Sequence, residues 1–477
     1  MPGGPIARWE WNGERLVVEA DRCGVLPLFW SEASGRIAVS TSIDALVEGG
    51  VPAHLDEGAL AVFLRIGFFV GEDTPFAAIR ALPPGGRLVW SRGGAVLESG
   101  WTAPTPIDAT RPEIVDRFGD AFARAVAAHA EPRDAPAAVL LSGGHDSRHI
   151  LFALAEADRL PRECVTVDPY PPSGAGDVAI ARLVAEALGV DHVLVPQRTD
   201  RVAAEREKNA LTSCCTDEHV QFLPLRDYFA RRDCLVFDGL AGDVLSQSQR
   251  LDPDLHRLFV ERRWDAVADR VLGDAVSIEP ALNALLTPDA VARFSRGAAA
   301  ARVAAEAATH GGAPNPIASF YFFSRMRREI ALAPYALVDA RVSTPFLDAA
   351  IVNLLLAAPF DVVRDRRLHT DAIERRYPQF ARIPFAGKEP GRDVAARVRR
   401  DAAALAARIA AHRGSLLRRG AALARAARAV ATGRSAHLWF LPRLVHLMDV
   451  EERALGIRPP ASVGSRQSQS AVGSRSH

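Results

Sequence analysis

The sequence lacks the features that would mark a membrane, secreted or zinc-binding protein. No apolar run is long enough to span a bilayer, and no signal-peptide pattern opens the chain. Its five cysteines include no Cys-x-x-Cys pair, which argues against a zinc site or a disulfide framework. An odd number of cysteines also suits a reducing compartment. We therefore expect a cytoplasmic protein that does not associate with membranes.

A strong charge of either sign is also absent. The formal net charge is +1 over 477 residues, so global electrostatics gives no reason to expect a nucleic-acid partner. Hydrophobic residues make up 48% of the chain and charged residues 24%, which is the balance of a globular protein. A chain of this length is expected to fold into two or three domains.

The most informative stretch is residues 140–147, Leu-Leu-Ser-Gly-Gly-His-Asp-Ser, which follows an apolar run. The pattern predicts a buried strand that ends at Leu141 and a helix that begins near Arg148. The Ser-Gly-Gly turn leaves backbone N–H groups free to face an anion at the positive end of that helix. A carboxylate at Asp146, beside such an anion, makes sense if a magnesium ion lies between them. The alternative is an ordinary Gly-Gly turn between a strand and a helix.

Three regions are predicted along the chain. Residues 1–105 are rich in strand patterns and glycine-containing turns. Residues 113–440 alternate strands and helices, which predicts a parallel sheet with a helical part towards its carboxyl end. Residues 455–477 have no apolar periodicity and are predicted to be disordered. Predicted strands lie at 16–18, 37–39, 87–90, 164–167, 192–195 and 234–237, and predicted helices at 56–68, 114–130 and 177–188.

Two further segments carry functional expectations. The strand at 234–237 runs directly into residues 238–243, Asp-Gly-Leu-Ala-Gly-Asp. Ligands of parallel sheets bind beyond the carboxyl ends of the strands, so we expect this loop and the 142–147 loop to open onto one crevice. Residues 392–434 are rich in arginine, which predicts either a solvated helical face or a docking surface for an acidic carrier protein or precursor peptide.

The order of these motifs resembles the asparagine synthetase-like family. The 142–147 loop is similar to the pyrophosphate-binding loop of the ATP pyrophosphatases, which split ATP into AMP and pyrophosphate. Residues 21–30 resemble the hairpin of the family's glutaminase-type domain, and residues 177–192, 238–243 and 345–348 resemble its later motifs. The resemblance implies an α/β protein. A degenerate glutaminase-type (Ntn-like) α+β domain would precede a parallel-sheet ATP-pyrophosphatase domain with a helical C-terminal part.

The resemblance also implies an ATP- and Mg²⁺-dependent ligase that adenylates a carboxylate and transfers it to an amine. Asp146 and Asp243 would bind magnesium, and Lys388 would stabilise charge on the pyrophosphate, so these three are the predicted catalytic residues. The residues alone also allow Asp243 to be a helix N-cap and Lys388 to be merely solvated. The implied nucleotide contacts are Leu140, Ser142, Gly143, Gly144, Asp146, Ser147, Val167 and Gly239, of which Leu140 and Val167 are equally compatible with core positions.

Three departures from the family pattern bear on function. The family's glutaminase uses a cysteine at the mature N-terminus, whereas Met1 is followed here by Pro2 and the first cysteine is Cys23. We therefore expect no glutamine hydrolysis, unless the start codon is wrongly chosen. Leu240 replaces a family glutamate and cannot take a proton, which leaves the base for the amine unassigned. Residues 341–344 match the family's acceptor element poorly.

Two groups of charged residues remain ambiguous in the sequence. Arg325, Arg327 and Arg328 share one predicted helix and would either clamp a phosphate or carboxylate or form a surface arginine face. Asp217 and Glu218 precede an apolar helix, where they would serve as caps or as a substitute base, with caps favoured.

The leading hypothesis is an AMP-forming amide ligase without glutaminase activity, acting on a small-molecule or peptide carboxylate. Intramolecular ring closure, as in β-lactam synthetases and lasso-peptide cyclases, is favoured because an internal amine needs no ammonia supply. An ammonia-dependent asparagine synthetase is the alternative. An enzyme that thiolates or modifies RNA is disfavoured by the near-neutral charge. A catalytically decayed nucleotide-binding scaffold is disfavoured by the presence of Asp146, Asp243 and Lys388.

Overall fold

The N-terminal region of the computed structural model consists of two antiparallel sheets with two helices. The structure describes residues 7–33, 35–98, 100–131, 136–170, 176–246, 251–273, 275–338, 340–387, 394–457 and 471–472. The N-terminal elements are β1 (Arg8–Trp11), β2 (Leu16–Glu19), β3 (Phe29–Ala33), β4 (Arg36–Ser40), α1 (Ile43–Glu48), α2 (Glu57–Ile66), β5 (Arg80–Ala81), β6 (Arg87–Ser91) and β7 (Gly94–Glu98). One sheet has the order β1-β2-β6-β7, and β4-β3-β5 form the other.

Local sequence explains several of these elements. Leu16 and Val18 are buried on one face of β2, as the alternation of a half-buried strand requires. Asp56 is the N-cap of α2 and accepts a hydrogen bond from Ala59 N at 3.0 Å, which confirms the predicted cap. The carboxylate of Asp21, which opens the family-like hairpin, accepts three backbone N–H bonds within that hairpin. Asp21 therefore holds the turn together.

A five-stranded parallel sheet forms the centre of the molecule. Its elements and the helices between them are α3 (Arg111–His129), β8 (Ala137–Leu140), α4 (His145–Glu156), β9 (Glu163–Val167), α5 (Gly176–Ala187), β10 (Asp191–Val195), α6 (Arg201–Leu211), α7 (Leu223–Phe229), β11 (Leu235–Phe237) and α8 (Gly242–Ser246). The strand order is β10-β9-β8-β11-β12, with β12 at Arg341–Ser343. The mixed α/β fold predicted from the sequence is confirmed, although β12 escaped prediction because three residues are too few to show a period.

The strand order places a topological switch point between β8 and β11. The chain leaves β8 towards β9 on one side, and later returns to form β11 on the other side of β8. A crevice opens at such a point beyond the carboxyl ends of the strands. The two loops singled out in the sequence follow β8 and β11, so the fold brings them to this crevice.

The remainder of the chain is helical. Its helices are α9 (Pro253–Val260), α10 (Trp264–Leu272), α11 (Ala275–Leu285), α12 (Pro288–Arg293), α13 (Arg296–His310), α14 (Pro316–Tyr321), α15 (Leu332–Leu337), α16 (Ala349–Ala357), α17 (Phe360–Val363), α18 (Leu368–Arg376), α19 (Ala395–Ala411), α20 (Arg419–Thr432) and α21 (Leu441–Ala454). A π-helical segment, Phe322–Ile330, links α14 to α15. No described helix combines the length and the apolar character needed to cross a membrane.

The arginine-rich segment is helical, as predicted, and residues 471–472 are more ordered than the sequence predicts. α19 and α20 pack against each other, and Arg408 is buried against Asp449 and Glu452 of α21. α21 buries Leu444 and Val445 and so extends the packed region beyond residue 440. Residues 471–472, expected to be disordered, pair with β4 as strand β13. The open edge of β4 offers free backbone groups for this pairing.

Arg327 and Arg328 join the two regions, and both sequence interpretations of these residues are wrong. Each is buried in the π-helical segment, so neither lies on a surface face. Arg327 donates to the carbonyl oxygen of Leu82, and Arg328 donates to that of Asp73 at 2.5 Å. The Arg327 side chain also lies directly against Gly24 of the N-terminal hairpin. Both guanidinium groups therefore satisfy backbone carbonyls of the N-terminal region instead of binding a phosphate.

Candidate active site

The two candidate metal-binding aspartates lie together at the switch point. Asp146 is in the first turn of α4 and Asp243 is in the first turn of α8. The backbone N–H of Asp243 donates to Asp146 Oδ2 at 3.1 Å, so the two loops are joined by a direct hydrogen bond. The Asp146 side chain is about one quarter exposed, at 23%, and Asp243 is exposed at the mouth of the crevice. The structure thus brings these two predicted residues together.

Two glycines allow this close approach. A Cβ placed on Gly239 would lie 2.7 Å from Asp146 Cβ, and one on Gly242 would lie 2.5 Å from Asp146 Cγ. Both distances are well inside the contact distance of two carbon atoms. The family resemblance implies that Gly239 lacks a side chain so that a nucleotide can approach the backbone. In this structure, the close contact with Asp146 already requires a residue without a Cβ at this position.

The Ser-Gly-Gly turn differs from its prediction because its backbone N–H groups are engaged. Ser142 N donates to Ser147 Oγ at 2.9 Å, and Gly144 N donates to Ser142 Oγ at 3.2 Å. Gly143 N donates to the Asp177 carboxylate at 2.9 Å. The expectation that these three groups are free is therefore wrong. The turn is held in shape by its own serines and by Asp177 of α5.

The N-terminus of α4 remains suited to an anion. Gly144 is the N-cap and supplies no side chain to accept the first N–H groups of the helix. The positive end of the helix dipole also points to this turn. The hydroxyl groups of Ser142 and Ser147 lie beside the same helix end and are hydrogen-bonded to each other at 3.1 Å, so either could turn to donate to an anion bound there. A phosphate group fits this set of donors.

Burial and mutual repulsion perturb the acidic groups of the crevice. Burial raises the pKa of Asp146 to about 7. Desolvation by the crevice and the nearby Asp146 carboxylate raise the pKa of Asp243 to about 6. Burial and Asp146 likewise raise the pKa of Asp238 to about 6, although its carboxylate accepts the Leu240 N–H at 2.8 Å. A bound cation would favour the charged form of each carboxyl group.

The donor set therefore fits a magnesium ion. Asp146 Oδ1 is buried without a hydrogen-bond partner among the described residues. An orphaned carboxylate oxygen beside a second, exposed carboxylate is a suitable ligand pair, because magnesium keeps several waters and takes only one or two protein carboxylates. Asp146 and Asp243 are the residues that would hold the ion.

Leu140 and Val167 flank the crevice from the sheet side. They are the last residues of the neighbouring strands β8 and β9, and both are half-buried. Leu141 N donates to Val165 O at 2.9 Å, which extends the β8–β9 pairing by one residue. Both residues also pack on a small core cluster behind the sheet, so their positions suit either adenine contact or core packing.

Lys388 lies outside the described residues, but the segment that leads to it is well placed. Ala386 N donates to Gly143 O at 3.1 Å, so this segment rests on the Ser-Gly-Gly turn. The buried guanidinium of Arg148 ties the two together. It donates to the carbonyl oxygens of Gly143, Gly144, Ile383 and Pro384 at 2.8–3.1 Å and lies 4.0 Å from the ring centroid of Phe385.

Sequence reasoning missed three functional candidates, Arg148, His149 and His369. Arg148 had a signal, since it directly follows the loop, but two of its partners, Ile383 and Pro384, are 235 and 236 residues away. His369 lies on α18 with its Nδ1 3.3 Å from Asp146 Oδ1. Its Nε2 lies 2.9 Å from Nδ1 of His149. No local pattern around either histidine indicates this contact.

Arg325 is the one arginine of its group that faces the crevice. It pairs with Glu329 at 3.0 Å and with Glu218 at 3.3 Å, and it interacts electrostatically with Asp243. Asp217 accepts from Arg443 Nε at 2.6 Å. Neither Asp217 nor Glu218 caps the following 3₁₀ turn, whose N-cap is His219, so the favoured interpretation as caps is wrong.

The comparisons with known proteins agree with this architecture. The model of a glutamine amidotransferase domain matches residues 5–101, and that of asparagine synthase matches residues 117–220. The chain is 28% identical over 219 residues to amidase chyE of Penicillium rubens and 25% identical over 218 residues to amidase chry2 of Gibberella zeae. Each alignment covers 42% of this chain and 32% of the relative, so the match spans about a third of either curated protein.

The chain thus has a region similar to a glutamine amidotransferase domain, followed by a parallel-sheet α/β region similar to asparagine synthase. The order of the two domain matches is that of the asparagine synthetase-like family, which the chain resembles.

Proposed function

We propose that this protein is an ATP-dependent amide ligase that forms AMP and pyrophosphate. The observation that carries the proposal is the pair of acidic loops joined across the switch point by the hydrogen bond from Asp243 N to Asp146 Oδ2. A magnesium-chelated triphosphate is the ligand that best suits two carboxylates next to an uncapped helix N-terminus.

The proposed reaction has two steps. A substrate carboxylate oxygen bonds to the α-phosphorus of ATP while the bond from that phosphorus to pyrophosphate breaks. An amine then bonds to the acyl carbon, AMP leaves with the bonding electron pair, and the amine loses one proton. Ser142 and Ser147 would bind phosphate oxygens, and the bound cation would neutralise their charge. Lys388 would add a positive charge near the leaving pyrophosphate, and its segment is anchored on Gly143. Positioning and charge stabilisation account for most catalysis of this kind.

We further propose that the amine does not come from glutamine hydrolysed by one of the chain's own cysteines. All five are buried, whereas a nucleophilic cysteine needs a lowered pKa and access to substrate. Burial raises the pKa of Cys23, in the amidotransferase-type region, to about 12. The curated relatives are named amidases, but the thiols here do not support amide hydrolysis. The amine is then ammonia or part of a small-molecule or peptide substrate.

A cavity lined partly by Glu218 is a suitable place for the substrate. It has a volume of about 630 Å³, within the usual range for small-molecule sites, and Tyr170, Glu218 and Trp439 line it. Glu218 pairs with Arg325 at 3.3 Å, and Arg325 interacts electrostatically with Asp243, which links this cavity to the acidic loops. We propose that the carboxylate substrate enters from this side.

The direct test is exchange of labelled pyrophosphate into ATP over a panel of carboxylic acids. We expect exchange that depends on a particular acid, with AMP as the nucleotide product once an amine is added. Asp146→Asn should lower the exchange rate by about 10²-fold or more, because it removes one charged ligand of the cation that would neutralise the leaving pyrophosphate. Asp289→Asn is the matched control, since that side chain is 81% exposed on α12.

Two results would overturn the proposal. The first is formation of ADP and orthophosphate, which is a different cleavage of the triphosphate. The second is an Asp146→Asn protein that exchanges pyrophosphate as fast as the Asp289→Asn control.

A further inference from the structure

His369 occupies a buried position directly beneath the acidic loops. Its side chain is fully buried on α18, a helix that carries none of the sequence motifs. The Nδ1 atom lies 3.0 Å from Ser246 Oγ and 3.3 Å from Asp146 Oδ1, so one nitrogen faces both oxygens. On the opposite side of the ring, Nε2 lies 2.9 Å from Nδ1 of His149.

The hydrogen bonds of these groups determine which ring nitrogen of His369 carries the proton. The Ser246 hydroxyl has one proton, and it donates that proton to Gly242 O at 2.6 Å. Ser246 Oγ must then accept from His369, so the proton is on Nδ1. The unprotonated Nε2 in turn accepts from the Nδ1–H of His149. The donor of His369 is therefore directed at the side of the ring where Asp146 lies.

Aromatic side chains hold the imidazole in this orientation. Phe118 and Phe346 each contact it edge-on, with ring centroids 5.4 Å away and interplanar angles of 73° and 69°. Phe346 belongs to the Pro-Phe-Leu-Asp motif, and Phe118 belongs to α3. A buried ring that packs against two aromatic side chains and is bonded at both nitrogens cannot turn without breaking these contacts. Such rigidity is what an exact site geometry requires.

We propose that His369 is a positioning residue for the Asp146 carboxylate. Asp243 N–H donates to Oδ2, and the protonated Nδ1 of His369 lies 3.3 Å from Oδ1, an electrostatic contact beside the Ser246 hydrogen bond, so the two groups together favour one orientation of the carboxylate before a cation binds. This inference rests on the proposed function, because it assigns Asp146 to a metal-chelated nucleotide. Partners behind a metal ligand typically change metal affinity by about 10–100-fold when they are lost.

The test uses the different reach of two amide side chains. The amide nitrogen of His369→Asn can occupy the place of Nδ1, whereas that of His369→Gln can occupy only the place of Nε2. The probe is Mn²⁺ in the presence of ATP and without any acid substrate, with free Mn²⁺ followed by electron paramagnetic resonance. We expect His369→Gln to weaken Mn²⁺ binding by about 10-fold or more and His369→Asn to stay within about 3-fold of the unmodified protein.

The matched control is His446→Gln. His446 is also fully buried and bonded through one ring nitrogen, to Cys214 O at 2.7 Å, but it lies on α21. It should lower thermal stability without changing Mn²⁺ binding. If His369→Gln cannot be purified, His369→Leu, which has no donor, replaces it in the comparison with His369→Asn.

The outcomes separate this inference from the proposed function. Equal Mn²⁺ affinity in the Asn and Gln variants, whether both retained or both lost, overturns the positioning role. Weak binding in Asp146→Asn together with normal binding in His369→Gln overturns only the role of His369. Normal binding and normal pyrophosphate exchange in Asp146→Asn instead overturn the proposed function itself.

Discussion

The contact between Gly239 and Asp146 provides the most specific test of the site geometry. In Gly239→Ala the new Cβ would lie 2.7 Å from Asp146 Cβ, and it would also lie 3.3 Å from Ser147 N. Carbon atoms normally approach to about 3.5–4.0 Å, so the two loops must separate by about 1 Å. Both atoms are fixed to the backbone, and no rotamer change can relieve the contact.

The expected result is a large loss of activity with a moderate loss of stability. A displacement of about 1 Å in a reacting group can cost about 10²-fold in rate. Overpacking in a tight region typically costs about 1–3 kcal/mol. Gly239 is not among the glycines with positive φ, so an alanine meets no backbone strain and the contact alone carries the prediction. Acid-dependent pyrophosphate exchange and denaturant unfolding measure the two effects.

Gly297→Ala supplies the control for the same chemical change. Gly297 is exposed in α13, and nothing lies within 4 Å of the position that a methyl group would take there. Alanine is favoured over glycine by about 1 kcal/mol inside a helix and by less in its first turn, where Gly297 lies, so this variant should be equally or slightly more stable and fully active. If Gly239→Ala exchanged pyrophosphate as fast as Gly297→Ala, the close packing of the two loops would have no part in the chemistry.

Two further substitutions test the surroundings of the site and the pH dependence of stability. Arg148→Lys keeps the charge but cannot reach four carbonyl oxygens, so it should lower the unfolding free energy by about 2–4 kcal/mol. It should also reduce kcat more than it changes KM. An unchanged kcat would refute the link between Arg148 and the segment that precedes Lys388. Burial lowers the pKa of His446 to about 3 from 6.5, so stability falls as the pH falls below 6.5, because only the unfolded state binds the proton there. In urea unfolding, His446→Gln should reduce the dependence of the unfolding free energy on pH by about 1.4 kcal/mol per pH unit. An unchanged pH dependence would contradict the lowered pKa of His446.

The features that sequence reasoning predicted correctly are local. The strand at 164–167 exists as Glu163–Val167, and the helix at 177–188 exists as Gly176–Ala187. Each follows from an apolar period within one element. The convergence of two loops on one crevice also followed, because parallel strands bring their carboxyl ends to the same edge. The pairing of Asp146 with Asp243 is a direct consequence.

The features that it could not predict depend on contacts between distant parts of the chain. Arg327 and Arg328 are residue types that could bind a phosphate. Only the packing of the N-terminal region shows that their guanidinium groups already donate hydrogen bonds to backbone carbonyl groups. The N–H of Gly143 is taken by Asp177, which the motif alone does not reveal. His369 shows no pattern at all, because its environment is made by α3, α4 and α8.

The acidic groups of the crevice destabilise the folded protein when they are charged, and a bound cation would offset this effect. Burial or crowding raises the pKa of Asp146, Asp238 and Asp243 together, which means that their charged forms are destabilised in the folded protein. The nearest imidazole offers no positive charge, since burial lowers the pKa of His369 to about 3. The raised pKa values of these three carboxyl groups therefore agree with the proposed cation at the switch point, which would favour their charged forms.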